Sequence, residues 1–224
     1  DAYRTYINPG RFDYLYDKVG LYDTLRAVTC GNSNATAITQ CWQAVDDIRD
    51  HMLNFLENHD EQRIASDFFA GDAEKGRAPL LVSACMGRNP MMIYFGQELG
   101  ERGMDDEGFS GRDGRTTIFD YWTVSTISRW RNKGKFDGRK LTPQEVDLQQ
   151  FYARVLNLCC NERALSGGDF FDLMYVNPQG PHFDPHRHYA FVRREGKEVV
   201  LVVANFDTRD ADMHVWLPKH LFDL

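Results

Sequence analysis

The 224-residue sequence contains no run approaching the ~20 consecutive apolar residues that cross a membrane as a helix. Excess positive charge is missing too. Lys and Arg number 26 against 33 Asp and Glu, for a net charge of −7, so the basic face that nucleic acid requires is not expected. With 18 Gly and 8 Pro, the chain is too poor in both for a collagen or low-complexity tract. The five cysteines are few and odd in number, which excludes a disulfide framework. Cys159 and Cys160 are adjacent within a helical pattern and point to different faces, so neither has metal-ligand spacing. The cysteines read as small buried hydrophobes. Gly-x-Ser-x-Gly, Gly-x-Gly-x-x-Gly and phosphate-loop motifs are all lacking, which leaves acyl transfer and nucleotide chemistry without support. An initiating Met and a signal-like apolar run are lacking as well. With a length between one domain and two, the chain reads as a piece of something longer.

What is present is folding material: 42% hydrophobic residues, including 15 Phe, 10 Tyr and 4 Trp. Phe12–Asp17 alternates apolar and polar residues after Asn8-Pro9-Gly10 and predicts a strand. Helical spacing follows over Leu21–Val28 and Ala35–Ile48. His51–Leu56 and Met91–Phe95 are short, mostly apolar runs of the kind buried on both faces of a parallel sheet, separated by a predicted helix over Pro79–Met86. This alternation implies βαβ units and a parallel sheet. The stretch Gly100–Gly138 reads as a long functional loop. Thr142-Pro143-Gln144-Glu145 opens a helix that continues to about Ala164, with Thr as cap, Pro in the first turn and Glu closing a capping box. From Ser166 onward the pattern becomes β-rich, with predicted strands over Phe170–Tyr175, Tyr189–Arg193, Val199–Asn205 and Met213–Leu217 and a hairpin turn at Glu195-Gly196-Lys197.

Three segments could carry chemistry. Asn58-His59-Asp60 ends a predicted parallel strand, where groups of an α/β barrel converge on the active-site mouth and can bind a polyol through several hydrogen bonds. The same three residues would also suit a plain hydrophilic turn. Gln97-Glu98 ends the next strand in an equivalent position, with Glu98 equally suited to an ion-paired loop anchor. The loop His182–His188 offers three histidines, but no cysteine or glutamate at helical spacing joins them as metal ligands. The aromatics Phe119, Tyr121 and Trp122 could stack on sugar faces or pack in a core.

These stretches together resemble the α-amylase family of glycoside hydrolases. Phe55-Leu56-Glu57-Asn58-His59-Asp60 is similar to the Phe-x-x-Asn-His-Asp motif at the end of the seventh strand of the family's (β/α)8 barrel. Pro90 to Glu98 resembles the eighth strand and its Tyr-x-Gly-Gln-Glu ending. The run Phe151–Leu165 and the strands around Ala190–Arg194 and Val202–Phe206 resemble the last barrel helix and the β-sandwich behind it.

The resemblance implies an α/β fold. Residues 1–165 would form the C-terminal part of a (β/α)8 barrel, about strands six to eight, and residues 166–224 an all-β sandwich-type domain, itself possibly cut short. It implies Asp60 as the catalytic carboxylate that stabilises the transition state, with His59, Asn58 and Arg63 as substrate-binding residues and Tyr121 and Trp122 as subsite aromatics. The family's motifs of strands three, four and five have no match here, so the nucleophile and general acid are missing and the chain alone is expected to be inactive. No cofactor is expected in this chain, because the calcium site common in the family lies mostly outside the segment. The implied partners are an α-glucan or maltooligosaccharide substrate and the remainder of the barrel, which would cover open edges at Phe12–Asp17 and Met91–Phe95. A carbohydrate-binding or regulatory relative without catalysis, and an α/β protein in which the motif is coincidental, remain open readings. Compartment is also open.

Overall fold

The computed structural model describes residues 2–119 and 123–222, so Tyr121 and Trp122 lie outside the described residues. A short helix α1 (Ala2–Ile7) leads into strand β1 (Leu15–Tyr16). A π turn over Lys18–Tyr22 runs directly into α2 (Asp23–Thr29), and α3 (Thr36–Ala44) follows. Strand β2 (Met52–Phe55) and helix α4 (Arg77–Cys85) complete one βα unit, and β3 (Met91–Met92) begins the next. The three strands form one parallel sheet in the order β1-β2-β3, with Tyr16 opposite Leu53 and Phe55 opposite Met92. Parallel order with intervening helices is what the alternating pattern predicts.

Two of the strands are shorter than their sequence patterns. The Phe12–Asp17 pattern pairs only at Leu15 and Tyr16, because β1 has β2 on one side and no described strand on the other. Met91–Phe95 pairs only at Met91 and Met92; beyond it Gln97 Oε1 accepts the Tyr94 N–H, and Gly96, at φ 80°, turns the chain away. The predicted helix Ala35–Ile48 breaks at Val45 (φ −124°, ψ 13°) and continues as a 3₁₀ turn over Asp46–His51.

Within the long 100–138 stretch the described residues form one α-helix, α5 (Ser125–Arg131), followed by a 3₁₀ turn over Asn132–Gly134. Helix α6 (Pro143–Asn161) carries the predicted capping box: Thr142 Oγ1 accepts the Glu145 N–H at 3.2 Å, and Glu145 Oε2 accepts the Thr142 N–H at 2.7 Å. After α7 (Arg163–Ser166), strands β4 (Asp169–Asp172), β5 (His188–Glu195) and β6 (Glu198–Asn205) form an antiparallel sheet in that order, with Gly196 at φ 60° in the β5–β6 turn. Met213–Leu217 is not a strand. The Trp216 N–H is bonded to Asn177 Oδ1 at 2.6 Å and the His214 N–H to the His182 carbonyl at 3.1 Å, so local partners replace a ladder.

One apolar core runs through both sheets, from Leu25, Ile38 and Leu80 through Tyr152 and Val155 to Tyr189, Phe191 and Val202. Side chains of the parallel sheet alternate sides. Met52 packs with Ile7, Val45 and Ile48, and Asn54 donates to the Ser83 carbonyl of α4, so that face is covered. On the other face Tyr16 stands edge-on to Phe55, its hydroxyl donates to Met92 Sδ, and Tyr16 remains 44% exposed. No described helix is long and apolar enough to cross a membrane.

Candidate functional site

The loop leaving β2 changes from apolar to polar within one residue, from Leu56 to Glu57-Asn58-His59-Asp60-Glu61. Glu57 and Asn58 turn inward. The Glu57 carboxylate is buried, meeting Arg63 Nη1 at 2.8 Å and accepting the Ile64 N–H at 2.7 Å. Burial pushes the Glu57 carboxyl up, and the Arg63 charge and hydrogen bond oppose that shift. Asn58 Oδ1 accepts the backbone N–H groups of Asp60 and Glu61, both at 2.9 Å, which makes a side-chain-closed turn.

That closure leaves the next two side chains facing outward. Asp60 has 62% of its side chain exposed and His59 31%, with His59 Nε2 at 3.4 Å from Asp60 Oδ2. Arg115 Nε donates to the Asp60 carbonyl at 2.7 Å, and its guanidinium also meets Asp113 at 3.3 Å. The His59 ring stands edge-on to Phe119, which in turn contacts Phe109. The result is an exposed carboxylate beside an imidazole and a guanidinium, rimmed by two aromatic rings. Such a cluster can accept and donate several hydrogen bonds to a hydroxylated ligand while offering it flat apolar faces.

Arg63 holds the arrangement from behind. With no exposed surface, it donates from Nε to Thr116 Oγ1, from Nη1 to Glu57 and from Nη2 to the Phe95 carbonyl, and lies over the Tyr94 ring at 4.3 Å. It therefore joins the loop after β2, the end of β3 and the 114–117 segment. The resemblance groups Arg63 with the substrate-binding residues and also puts it where the family often has an arginine bracing this loop; in the structure its position is that of a brace, and Asn58 is likewise turned into the loop. Gln97 is buried, donating to the Tyr152 hydroxyl at 3.1 Å, while Glu98 is half-buried. The histidine-rich loop does not gather ligands: His182 stacks on His214 at 3.9 Å, and His188 Nδ1 accepts the Asp184 N–H. Among the described residues no group of three or more His, Cys, Asp or Glu converges on one point, so no step is assigned to a metal.

At the level of sequence, neither a family model nor any curated protein matches the chain. Solved structures do. A debranching enzyme from Nostoc punctiforme matches with a TM-score of 0.59 at 18% identity, over 92% of this chain and 39% of that one. AmyP in complex with maltose matches at 0.59 and 17%, over 87% of this chain and 40% of that one. The maltogenic α-amylase AmyB from Thermotoga neapolitana matches at 0.55 and 18%, over 90% of this chain and 39% of that one. The chain shares its fold with the α-amylase family. It spans well under half the length of each of these relatives.

Within this amylase-type fold, some residues at the loop carry no sequence signal of their own. Glu61 receives the Tyr22 hydroxyl at 3.1 Å and pairs with Lys18 and Arg26, tying the loop to the turn after β1. Tyr22 stacks flat on Phe55 at 4.8 Å. Arg115, in the stretch read as a functional loop whose assigned residues were the aromatics Tyr121 and Trp122, is the one that reaches Asp60. Only its place in a charged, glycine-rich segment could have drawn attention to it.

Proposed function

We propose that this chain supplies strands six to eight of an amylase-type (β/α)8 barrel, residues 1–165, followed by the start of a C-terminal β-sandwich over residues 166–224. The complete protein would be a retaining hydrolase of α-1,4-glucosidic bonds in starch or maltooligosaccharides. The observation that carries this reading is Asp60, an exposed carboxylate at the C-terminal end of the central parallel strand, whose backbone is held by Asn58 and Arg115. One relative of the same fold, AmyP, has been solved with maltose and, as a point variant, with maltotriose.

In this reading Asp60 accepts hydrogen bonds from two hydroxyls of the sugar undergoing cleavage. Those bonds tighten as the ring flattens toward the oxocarbenium-like transition state, so they lower the barrier rather than only improving binding. His59 donates to a neighbouring hydroxyl. Asn58 and Arg63 position the loop, and Tyr121 and Trp122 add stacking surfaces for further sugar units. The nucleophilic Asp and the acid/base Glu come from strands outside this chain, so the chain alone hydrolyses nothing.

The test is turnover of a maltooligosaccharide by the protein carrying all eight strands. Asp60→Asn should lower kcat by at least ~10²-fold, the loss typical of removing one transition-state contact. A variant within a few-fold of the parent would remove Asp60 from this role. Binding of maltotriose by a complete barrel that turns over no glucan would instead mark a carbohydrate-binding relative.

A further inference from the structure

Helices α4 and α6 meet at two cysteines, Cys85 in the last turn of α4 and Cys159 near the end of α6, with Sγ atoms 3.5 Å apart. Cys85 is buried, Cys159 half-buried and the adjacent Cys160 exposed. Beside them is a guanidinium without a counter-ion. Arg193 is 1% exposed and donates to the carbonyls of Cys85 (2.8 Å), Gly87 (2.9 Å) and Gly168 (2.6 Å), its Nε has no partner, and among the described residues it forms no ion pair. Arg88 and Arg49, its cationic neighbours, have carboxylates of their own in Asp50 and Asp46.

We propose that Cys85 and Cys159 form a dithiol site for reversible oxidation by a small-molecule disulfide of the glutathione type. Their spacing leaves ~1.5 Å of approach to the ~2.05 Å of a disulfide, within reach of side-chain rotation. The two thiols are unequal. The hydrogen bond between the two sulfurs and the Arg193 charge hold Cys159 low, whereas that same bond and burial hold Cys85 high.

Cys159, partly accessible, is the attacking thiolate. It displaces one thiolate from the small disulfide and forms a mixed disulfide. Cys85 then gives up its proton and attacks Cys159 Sγ, expelling the second small thiol. Two protein thiols are oxidised to one disulfide, and one small disulfide is reduced to two thiols. The crosslink fixes α6, whose Tyr152 holds Gln97 beneath the loop after β3, against α4.

The reduced chain is equilibrated with stepped ratios of oxidised to reduced glutathione, quenched by acid, unfolded and titrated for thiols. The expected result is a fall from the five thiols of the sequence to three, with a peptide crosslink joining Cys85 to Cys159. Cys159→Ser and Cys85→Ser should each abolish that crosslink, and Cys160→Ser should retain it. Five thiols at the most oxidising ratio, a mixed disulfide confined to exposed Cys160, or a crosslink between any other pair would overturn the proposal.

Discussion

Arg63 has no exposed surface, and each of its three guanidinium nitrogens finds a partner in a separate segment: Nη1 in Glu57, Nη2 in the Phe95 carbonyl and Nε in Thr116. A buried ion pair contributes little over an apolar pair of the same shape, yet removing one partner leaves the other desolvated and unpaired. Arg63→Met should therefore cost about 3–5 kcal/mol in urea unfolding. The double variant Arg63→Met/Glu57→Leu should recover a large part of that loss. If the double variant is no more stable than the single one, the pair is not the brace described. Asn58 acts on the same loop by a cheaper device, closing two backbone N–H groups with one amide oxygen. Asp60 is left exposed beyond this turn, with His59 Nε2 at 3.4 Å from its carboxylate and Arg115 bonded to its carbonyl.

The segment after β3 shows the same logic at the level of an element. From Gly100 to Phe119 it has almost no ladder of its own and is held by side chains and special backbone positions. Gly114, at φ 81°, gives its carbonyl to the Arg63 N–H at 2.7 Å, and a Cβ there would lie 2.8 Å from Ser66 Oγ. Glu101 and Glu107 are both buried, each with one carboxylate oxygen lacking a partner. Burial, reinforced by the Glu101 charge, pushes the Glu107 carboxyl up to about 7. The folded state thus holds a proton that an unfolded glutamate releases near 4.5, and linkage makes stability fall as pH rises between those values and level off above them. Urea midpoints at about pH 5 and about pH 8 should show this decline, and Glu107→Gln should flatten it. A midpoint that rises over that interval in the parent and not in the variant would contradict the buried carboxyl pair.

At the scale of the molecule, the parallel sheet has one face covered by helices and the other carrying Tyr16, Leu53 and Met92 only partly buried. Two-residue pairings at β1 and β3 are too short to hold a sheet unaided, and the edges offer unpaired backbone groups. The proposed barrel accounts for both features, since five further strands would cover the face and pair the edges. Supplying those strands should slow amide exchange in β1 and β3, and Leu53→Lys should prevent that protection. If the chain by itself sediments as a monodisperse monomer with both edges exchanging freely, the assigned strand order is wrong.

Patterns that depend on near neighbours were legible in the sequence. The period-two and helical spacings located the βα alternation, Thr142 and Glu145 marked the start of α6, and the turn at Gly196 marked the β5–β6 hairpin. The motif around Asn58 and Asp60 was legible for the same reason, being contiguous. Strand lengths were not, because a strand ends where its partner ends, and among the described residues β1 and β3 have partners on one side only. Nor could the sequence bring Arg115 to Asp60 across the loop. The meeting of Cys85 with Cys159, and the enclosure of Arg193 among backbone carbonyls, were equally hidden. Side-chain burial and pairing depend on residues distant in the chain. Only packing two sheets around one core decides which polar groups are enclosed and which are left exposed.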